Sequence, residues 1–189
     1  MLADRRVLAA MARVPSAVTI VITRDESGRP CGFTASSFCL VSLEPPLVPV
    51  CLDRSANCHP VFARCGELAI SVLQPHRAEL ARRFATKAAD KFARDRFARL
   101  PSGIDVVHEA AAVLKYTVHG RIEAGDHTII LGRVRRAQVR TGGAAAVYVE
   151  RSFGRACTCA APDGMTCSRV PLTGPGDVNN RDNSCAVID

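Results

Sequence analysis

Two short runs of small polar residues carry the chemistry this sequence could do: Thr34-Ala35-Ser36-Ser37 and Arg54-Ser55-Ala56-Asn57, both inside "GFTASSFCLVSLEPPLVPVCLDRSANCHP", residues 32–60. Short hydroxyl and amide side chains beside successive main-chain N–H groups can satisfy the many acceptors of a phosphate, or the polar edge of a planar heterocycle. They do so without filling the space the ligand needs. The same residue types populate turns and strand ends, so either run alone also reads as ordinary loop chemistry. What is missing narrows the choice. No Gly-rich turn of the G-x-G-x-x-G or Walker kind follows a strand, and no G-x-S-x-G elbow is present. The five histidines, at 59, 76, 108, 119 and 127, lack the i, i+4 pairing of a helical zinc site. Hydrolysis by a nucleophile or a metal therefore has no visible equipment, and a dinucleotide would not be held in the Rossmann or P-loop manner.

The elements that must position these runs read mostly as strands. "AVTIVIT" (17–23) has the alternation of a half-buried strand, and "RDESGRP" after it is turn chemistry. A second strand is expected in "CGFTASSFC". A third, in "LVPVCL", starts late or lies at an edge, because Pro45, Pro46 and Pro49 cannot donate to a ladder. Residues 57–64 read as a short helix and "ELAISVL" as another strand. In "HRAELARRFATKAADKF" (76–92), Leu80, Phe84, Ala88 and Phe92 recur every four residues, which predicts one amphipathic helix. "AVLKYTVHGRIEAGDHTIILGRVRRAQVR" reads as two long strands joined at "EAGDH", with Gly125 where a positive φ is needed. Hairpin-linked strands that outnumber helices favour a closed or nearly closed antiparallel barrel over a doubly wound parallel sheet.

At 189 residues, 48% apolar and 23% charged, the chain has ordinary globular usage, so disorder and fibrous classes are excluded. Its apolar runs are far shorter than the roughly 20 residues of a membrane-spanning helix. The N-terminal "MLADRRVLAAMARVP" is broken by Arg13 and reads as an amphipathic helix rather than a signal peptide, so a cytoplasmic location without membrane contact is expected. The nine cysteines are an odd number, and with no export signal they read as reduced thiols; Cys31, Cys39, Cys51, Cys58 and Cys65 lie in apolar segments as small hydrophobes. The net charge of +7 is concentrated in residues 76–100, where eight Lys/Arg face three Asp/Glu. With no Trp and no reading motif, that stripe suits a small phosphate-bearing ligand as well as it suits nucleic acid.

In order and spacing, the blocks "VTIVIT", "GFTASSF", "VSLEPPLV", "CLDRSANCHPVF", "LARRFA", "DKF" and "GDHTIILGRV" resemble the short-chain flavin reductases, the NAD(P)H-using partners of two-component flavin monooxygenases. The resemblance covers residues 5 to about 153. It implies a mainly β fold, a split β-barrel with flanking helices, binding FMN or FAD and acting as a homodimer with the flavin near the subunit interface. On the family's pattern Thr34, Ala35, Ser36 and Ser37 line the isoalloxazine and ribityl region. Leu52, Asp53, Ser55, Ala56 and Asn57 surround the ribityl phosphate, with Arg54 adding positive potential. Lys91 and Phe92 match the family's "DKF" near the flavin; without the family, Lys91 reads as a solvated helix charge. His127 matches the position beside the nicotinamide and is the catalytic candidate. Tyr148 and Arg151 resemble a C-terminal Tyr/Arg cluster, though "YVERSF" departs from its double-basic form.

The activity implied is hydride transfer from NADH or NADPH to FAD or FMN, with FAD and NADH favoured, to supply reduced flavin to a partner monooxygenase. Neither metal nor nucleic acid is implied. Two other readings stand beside it: a flavin-binding barrel that does not turn over NAD(P)H, and a basic interaction protein using residues 76–100 on nucleic acid. The composition shifts near Arg155, so the domain is expected over 1–153, with 154–189 a tail or arm rich in Gly, Pro, Asn and Asp. Cys157, Cys159, Cys167 and Cys185 are spaced too irregularly for a structural zinc site, and "CAVI" stands one place too far from the terminus for a prenylation box.

Overall fold

Alternating and doubly buried strands dominate the chain. The computed structural model describes residues 5–87, 90–93 and 97–156. In chain order these form α1 (Arg5–Met11), β1 (Ser16–Ala17), β2 (Thr19–Arg24), β3 (Pro30–Ala35), β4 (Ser42–Leu43), β5 (Pro46–Asp53) and α2 (His59–Phe62). There follow β6 (Glu67–Val72), a 3-10 turn (Pro75–Arg77), α3 (Ala78–Ala85), β7 (Phe97–Arg99) and β8 (Asp105–Val107). The last strands are β9 (Ala112–Ala124), β10 (His127–Val139), β11 (Ala146–Val149) and β12 (Ser152–Arg155). Seven strands make one antiparallel sheet in the order β3-β2-β6-β9-β10-β5-β4, beside a β1-β11-β12 sheet and a β7-β8 pair.

The large sheet curls on itself. Phe33 and Ala35 of β3, at one end of the strand order, share a core with Val48, Val50 and Leu52 of β5 near the other end, together with Val21, Leu68, Ile70, Tyr116 and Ile130. Strands five places apart reach one core only if the sheet closes towards a barrel. The seam is held by the Cys51 N–H, which donates to Ser37 Oγ at 2.8 Å, and the Val41 N–H, which donates to the Leu47 carbonyl at 2.9 Å. The helix α2 packs into the same core, with Phe62 fully buried and its ring edge-on to Phe33 at 4.9 Å. The outer face of β2 and β6 carries a second core, where Ile20, Ile22 and Ala69 meet Leu80, Ala81 and Phe84 of α3. This is the split barrel with flanking helices expected from the sequence.

Four local expectations are corrected. Strand β2 is buried on both faces rather than one, because Thr19 and Thr23 sink their hydroxyls into the carbonyls of Ala35 and Glu67, each at 2.7 Å. The strand expected over 31–39 ends at Ala35. The helix expected over 76–92 ends at Ala85, where Thr86 is extended (φ −92°, ψ 162°) and its hydroxyl donates to the Arg83 carbonyl at 2.9 Å. Phe92 still reaches Phe84, at 5.1 Å between ring centroids, from the chain that follows. Strand β12 also runs past residue 153, so Gly154 and Arg155, paired with Val147 and Ala146, belong to the folded domain. The tail cysteines lie outside the described residues. Among the described residues, no helix is long and apolar enough to cross a membrane.

Tyr116 is fully buried in the barrel core, facing Gly132, where a Cβ would stand 3.0 Å from its ring. Among the described residues its hydroxyl has no hydrogen-bond partner, and burial raises its pKa above the ordinary phenol value. A buried hydroxyl left without a partner costs about 1–3 kcal/mol. Tyr116→Phe is therefore expected to stabilise the fold by about 1 kcal/mol in urea denaturation; an unchanged or lower midpoint would mean that the hydroxyl is satisfied.

Candidate functional site

Closure of the barrel brings the two polar runs together. Ser36 and Ser37 leave the end of β3 and cross the seam onto β5, where Ser37 Oγ accepts from the Cys51 amide. Two residues on, Asp53 ends β5 and starts the turn over 53–58. Its carboxylate accepts the Ser55 N–H at 2.6 Å and its carbonyl accepts the Ala56 N–H at 3.1 Å. That is the local chemistry of an Asx turn, and it directs the Asp53 carboxylate into the turn's own amide. Ser55 and Asn57 are exposed and Ala56 is half-buried.

The β9–β10 hairpin completes the cluster. Its two-residue turn has Gly125 at φ +66°, the conformation a hairpin turn demands and the one expected there. His127 is the cross-strand partner of Asp53, and the Arg54 N–H donates to the Asp126 carbonyl at 2.9 Å. His127 Nδ1 lies 2.7 Å from Asp126 Oδ1, and that hydrogen bond holds the Asp126 carboxyl below its ordinary range. Since Leu52 and Ile130 point into the core, the strand period turns Cys51, Asp53, His127 and Ile129 to the outer face. Arg54 lies 3.9 Å from Glu123 with both side chains largely exposed, an ion pair too loose and too solvated to hold the guanidinium.

The side chains of several other candidates also serve the packing. Leu52 and Ala35 are core side chains, and the buried Thr34 hydroxyl donates to the Ala81 carbonyl at 2.7 Å, tying β3 to α3. Lys91 is not a solvated helix charge: its ammonium donates to the carbonyls of Phe84 at 2.8 Å and Gly32 at 3.2 Å, strapping the 90–93 segment over α3 and β3. Phe92 packs between Phe84 and Phe97. Tyr148 meets Phe153 edge-on, 5.1 Å between ring centroids, in the small sheet, and Arg151 sits with Glu150 in the β11–β12 turn at positive φ.

One neighbour escaped the reading of the sequence. His59, the first residue of α2, places Nε2 2.9 Å from Thr128 Oγ1, beside His127 in β10. The signal was its place in "RSANCH", four residues after Ser55. A cleft of about 400 Å³, lined by Arg24, Asp25, Arg29, Val61, Arg64 and Cys65 among others, includes none of the candidate residues. The cluster is thus an open surface cradle. Its exposed hydroxyls, carboxamide and loosely paired guanidinium fit the phosphate and polyhydroxyl chain of a flavin, and the Asp53 carboxylate, occupied within its turn, does not face that ligand as a free anion.

Comparison with known proteins extends this. Residues 11–156 match the family described as flavin reductase like domain. The actinorhodin polyketide dimerase of Streptomyces coelicolor is 52% identical over 161 residues, 85% of this chain and 91% of that protein. An NADH:riboflavin 5'-phosphate oxidoreductase of Streptomyces pristinaespiralis is 39% identical over 70% of this chain and 75% of its own length. Among solved structures, the NADH:FAD oxidoreductase SgcE6 of Streptomyces globisporus, in complex with NAD and FAD fragments, superposes with a TM-score of 0.77 at 31% identity. That match covers 85% of this chain and 99% of that one. BorF, the flavin reductase component of a bacterial two-component tryptophan halogenase, gives a TM-score of 0.72 at 30% identity over 80% of this chain and 98% of its own. Both the sequence over residues 11–156 and the curled seven-stranded sheet place this chain in the flavin reductase family.

Proposed function

We propose that the chain moves hydride from NADH or NADPH to FMN or FAD at the seam of the barrel, and hands the reduced flavin to a separate oxygenase. The observation that carries this reading is the convergence of Ser36–Ser37, Arg54–Asn57 and His127 across the seam and the β5–β10 ladder, within a flavin reductase fold. When bound, the flavin supplies the hydride acceptor; the protein supplies orientation and electrostatics. Ser55, Asn57 and Arg54 hold the phosphate end, and Ser36 with Ser37 flanks the ring end. Lys91, Phe92 and Thr34 support these segments from the α3 side. His127, held by Asp126, stands on the outer face to receive the nicotinamide.

The relatives' names include both NADH:FMN and NADH:FAD pairs, so either flavin is a reasonable probe. The 52% identical relative, a polyketide dimerase, favours a polyketide as the substrate of the oxygenase served. A second copy of the chain is the natural cover for the open cradle. Leu40, Val41 and Leu43, 58%, 58% and 78% exposed, continue from Ser37 along the seam, and such a patch beside a polar site is what a subunit contact covers. Purified protein given NADH with FMN or FAD should oxidise the nicotinamide, followed at 340 nm, and sediment as a dimer. Flavin binding without oxidation of NADH or NADPH would leave only the non-turnover reading.

His127→Ala is expected to slow hydride transfer or raise the nicotinamide KM by about tenfold while changing the flavin Kd little. Stopped-flow reduction at the unaltered rate, with unaltered nicotinamide dependence, would make His127 a turn residue. The same variant has a titration signature. The Asp126 carboxyl is held low by its bond to His127, so that bond favours the folded protein above the unfolded carboxyl pKa and fades as pH falls through the folded value. In His127→Ala the Asp126 titration should move back up towards the ordinary carboxyl range, which NMR of the carboxyl carbon reads directly.

A further inference from the structure

Two hydrogen bonds pin the 54–58 turn to β10, and they straddle His127. The Arg54 N–H binds the carbonyl of Asp126, one residue before it, and the His59 imidazole binds the hydroxyl of Thr128, one residue after it. The two pins differ in kind. The first is main chain and survives any side-chain change. The second is made by two side chains at the end of the barrel plugged by α2. Thr128 is 7% exposed and shares the inward face with Ile130, two residues along the strand; His59 is half-buried above it. His59 is also fixed at its backbone, since its N–H donates to the Ala56 carbonyl at 2.9 Å and its carbonyl accepts the Ala63 N–H at 2.8 Å. The imidazole therefore links the residues that close the turn, Ala56 to Cys58, to the strand that presents His127. It thus adds a side-chain tie at the far end of the turn to the main-chain ties at its near end, the Arg54 amide bond and the Asp53–His127 pairing.

We propose that His59 is a positioning residue for flavin binding, acting through Thr128 to hold the 54–58 turn at a set distance from His127. The proposal rests on the reading that Arg54–Asn57 receives the flavin phosphate, and it adds the group that keeps this turn in register with the nicotinamide side. His59 and Thr128 touch neither ligand. Their bond restricts the turn to one place, so that ordering it is not charged to ligand binding. A side-chain pair acting as one unit has a signature that mere packing lacks: removing either member does the damage, and removing both does no more.

The experiment is fluorescence titration of FMN and of FAD onto full-length His59→Ala, Thr128→Val, the double variant and His59→Gln, with the melting temperature of each. Each single change is expected to raise the flavin Kd about fivefold, the scale of one hydrogen bond. The double variant should match the singles, and His59→Gln, whose amide can reach Thr128, should recover most of the loss. Unaltered Kd values in the singles, even with lowered melting temperatures, would make the pair purely structural and overturn the proposal. So would single effects that multiply in the double variant. Ser55→Asp, titrated in parallel, separates the two failures. If it weakens binding while the pair does not, the positioning role alone falls; if it too is silent, the turn is not the phosphate site and both readings fall.

Discussion

Ser55→Asp is expected to weaken flavin binding about 10- to 100-fold while the protein melts at its original temperature. The side chain is exposed at the tip of the 53–58 turn, so no core contact is disturbed. Its amide is already spent on the Asp53 carboxylate at 2.6 Å, so the fold of the turn does not depend on the hydroxyl. What changes is charge. A second carboxylate beside Asp53, facing a ligand phosphate, sets like charges against each other in a site partly cleared of water, at a cost of roughly 1–3 kcal/mol. Each 1.4 kcal/mol is about a factor of ten in Kd. The effect should shrink as salt is raised, since the repulsion is screened over about 10 Å at 0.1 M. Titration of FMN and FAD against wild type and variant measures it, and an unaltered Kd at the native melting temperature would remove "RSAN" from the site.

Gly32→Ala is expected to be the most damaging single methyl group in the domain, lowering stability by about 3 kcal/mol. A Cβ built on Gly32 would lie 2.8 Å from Phe84 Cε1, 2.8 Å from the Val21 carbonyl oxygen and 3.2 Å from Ile22 Cγ1. The phenyl ring could turn aside, but the carbonyl belongs to the β2–β3 ladder and cannot retreat without opening it. Overpacking of this kind costs about 1–3 kcal/mol where side chains can yield, and here one obstacle is backbone. The strap would suffer too, because Lys91 binds both the Gly32 and Phe84 carbonyls and Phe92 rests on the Phe84 ring. The denaturation midpoint in urea should fall with little change in slope. A loss below about 0.5 kcal/mol would show that β3 and α3 separate more easily than their packing implies.

The sequence made the long elements legible and concealed the short ones. Strands β9 and β10, thirteen residues each, and their Gly125 turn follow from alternation and turn chemistry. Strands of two to four residues such as β1, β4, β7 and β8 are too short to show a period. Threonine misled at β2, because its hydroxyl reads as a solvent-facing position while Thr19 and Thr23 bury it against main-chain carbonyls. In the 76–92 region the four-residue spacing was real but its cause was not, since Phe92 meets Phe84 after the helix has ended. At the site, the polar runs were visible as chemistry, but their meeting was not. Ser37 and Cys51 are joined by the curl of a sheet whose closure no local pattern records. His59 was hidden for the same reason, its partner Thr128 being 69 residues away.

The seam has a consequence for how the molecule exchanges its amide hydrogens with solvent. The amides of β2 and β6, flanked by partners on both sides and buried on both faces, should exchange only when the whole domain unfolds. The segment 36–41 is different: apart from the half-buried Ser36 and Phe38 it is exposed, and its two described bonds to β5 are those of Ser37 and Val41. Opening there breaks few contacts, so its deuterium uptake should be fast in the ligand-free protein and slow in proportion to ligand occupancy, wherever the ligand spans the seam. The region in which the barrel is least closed is thus the one in which binding would be written most plainly, as protection confined to residues 36–41 and 51–57.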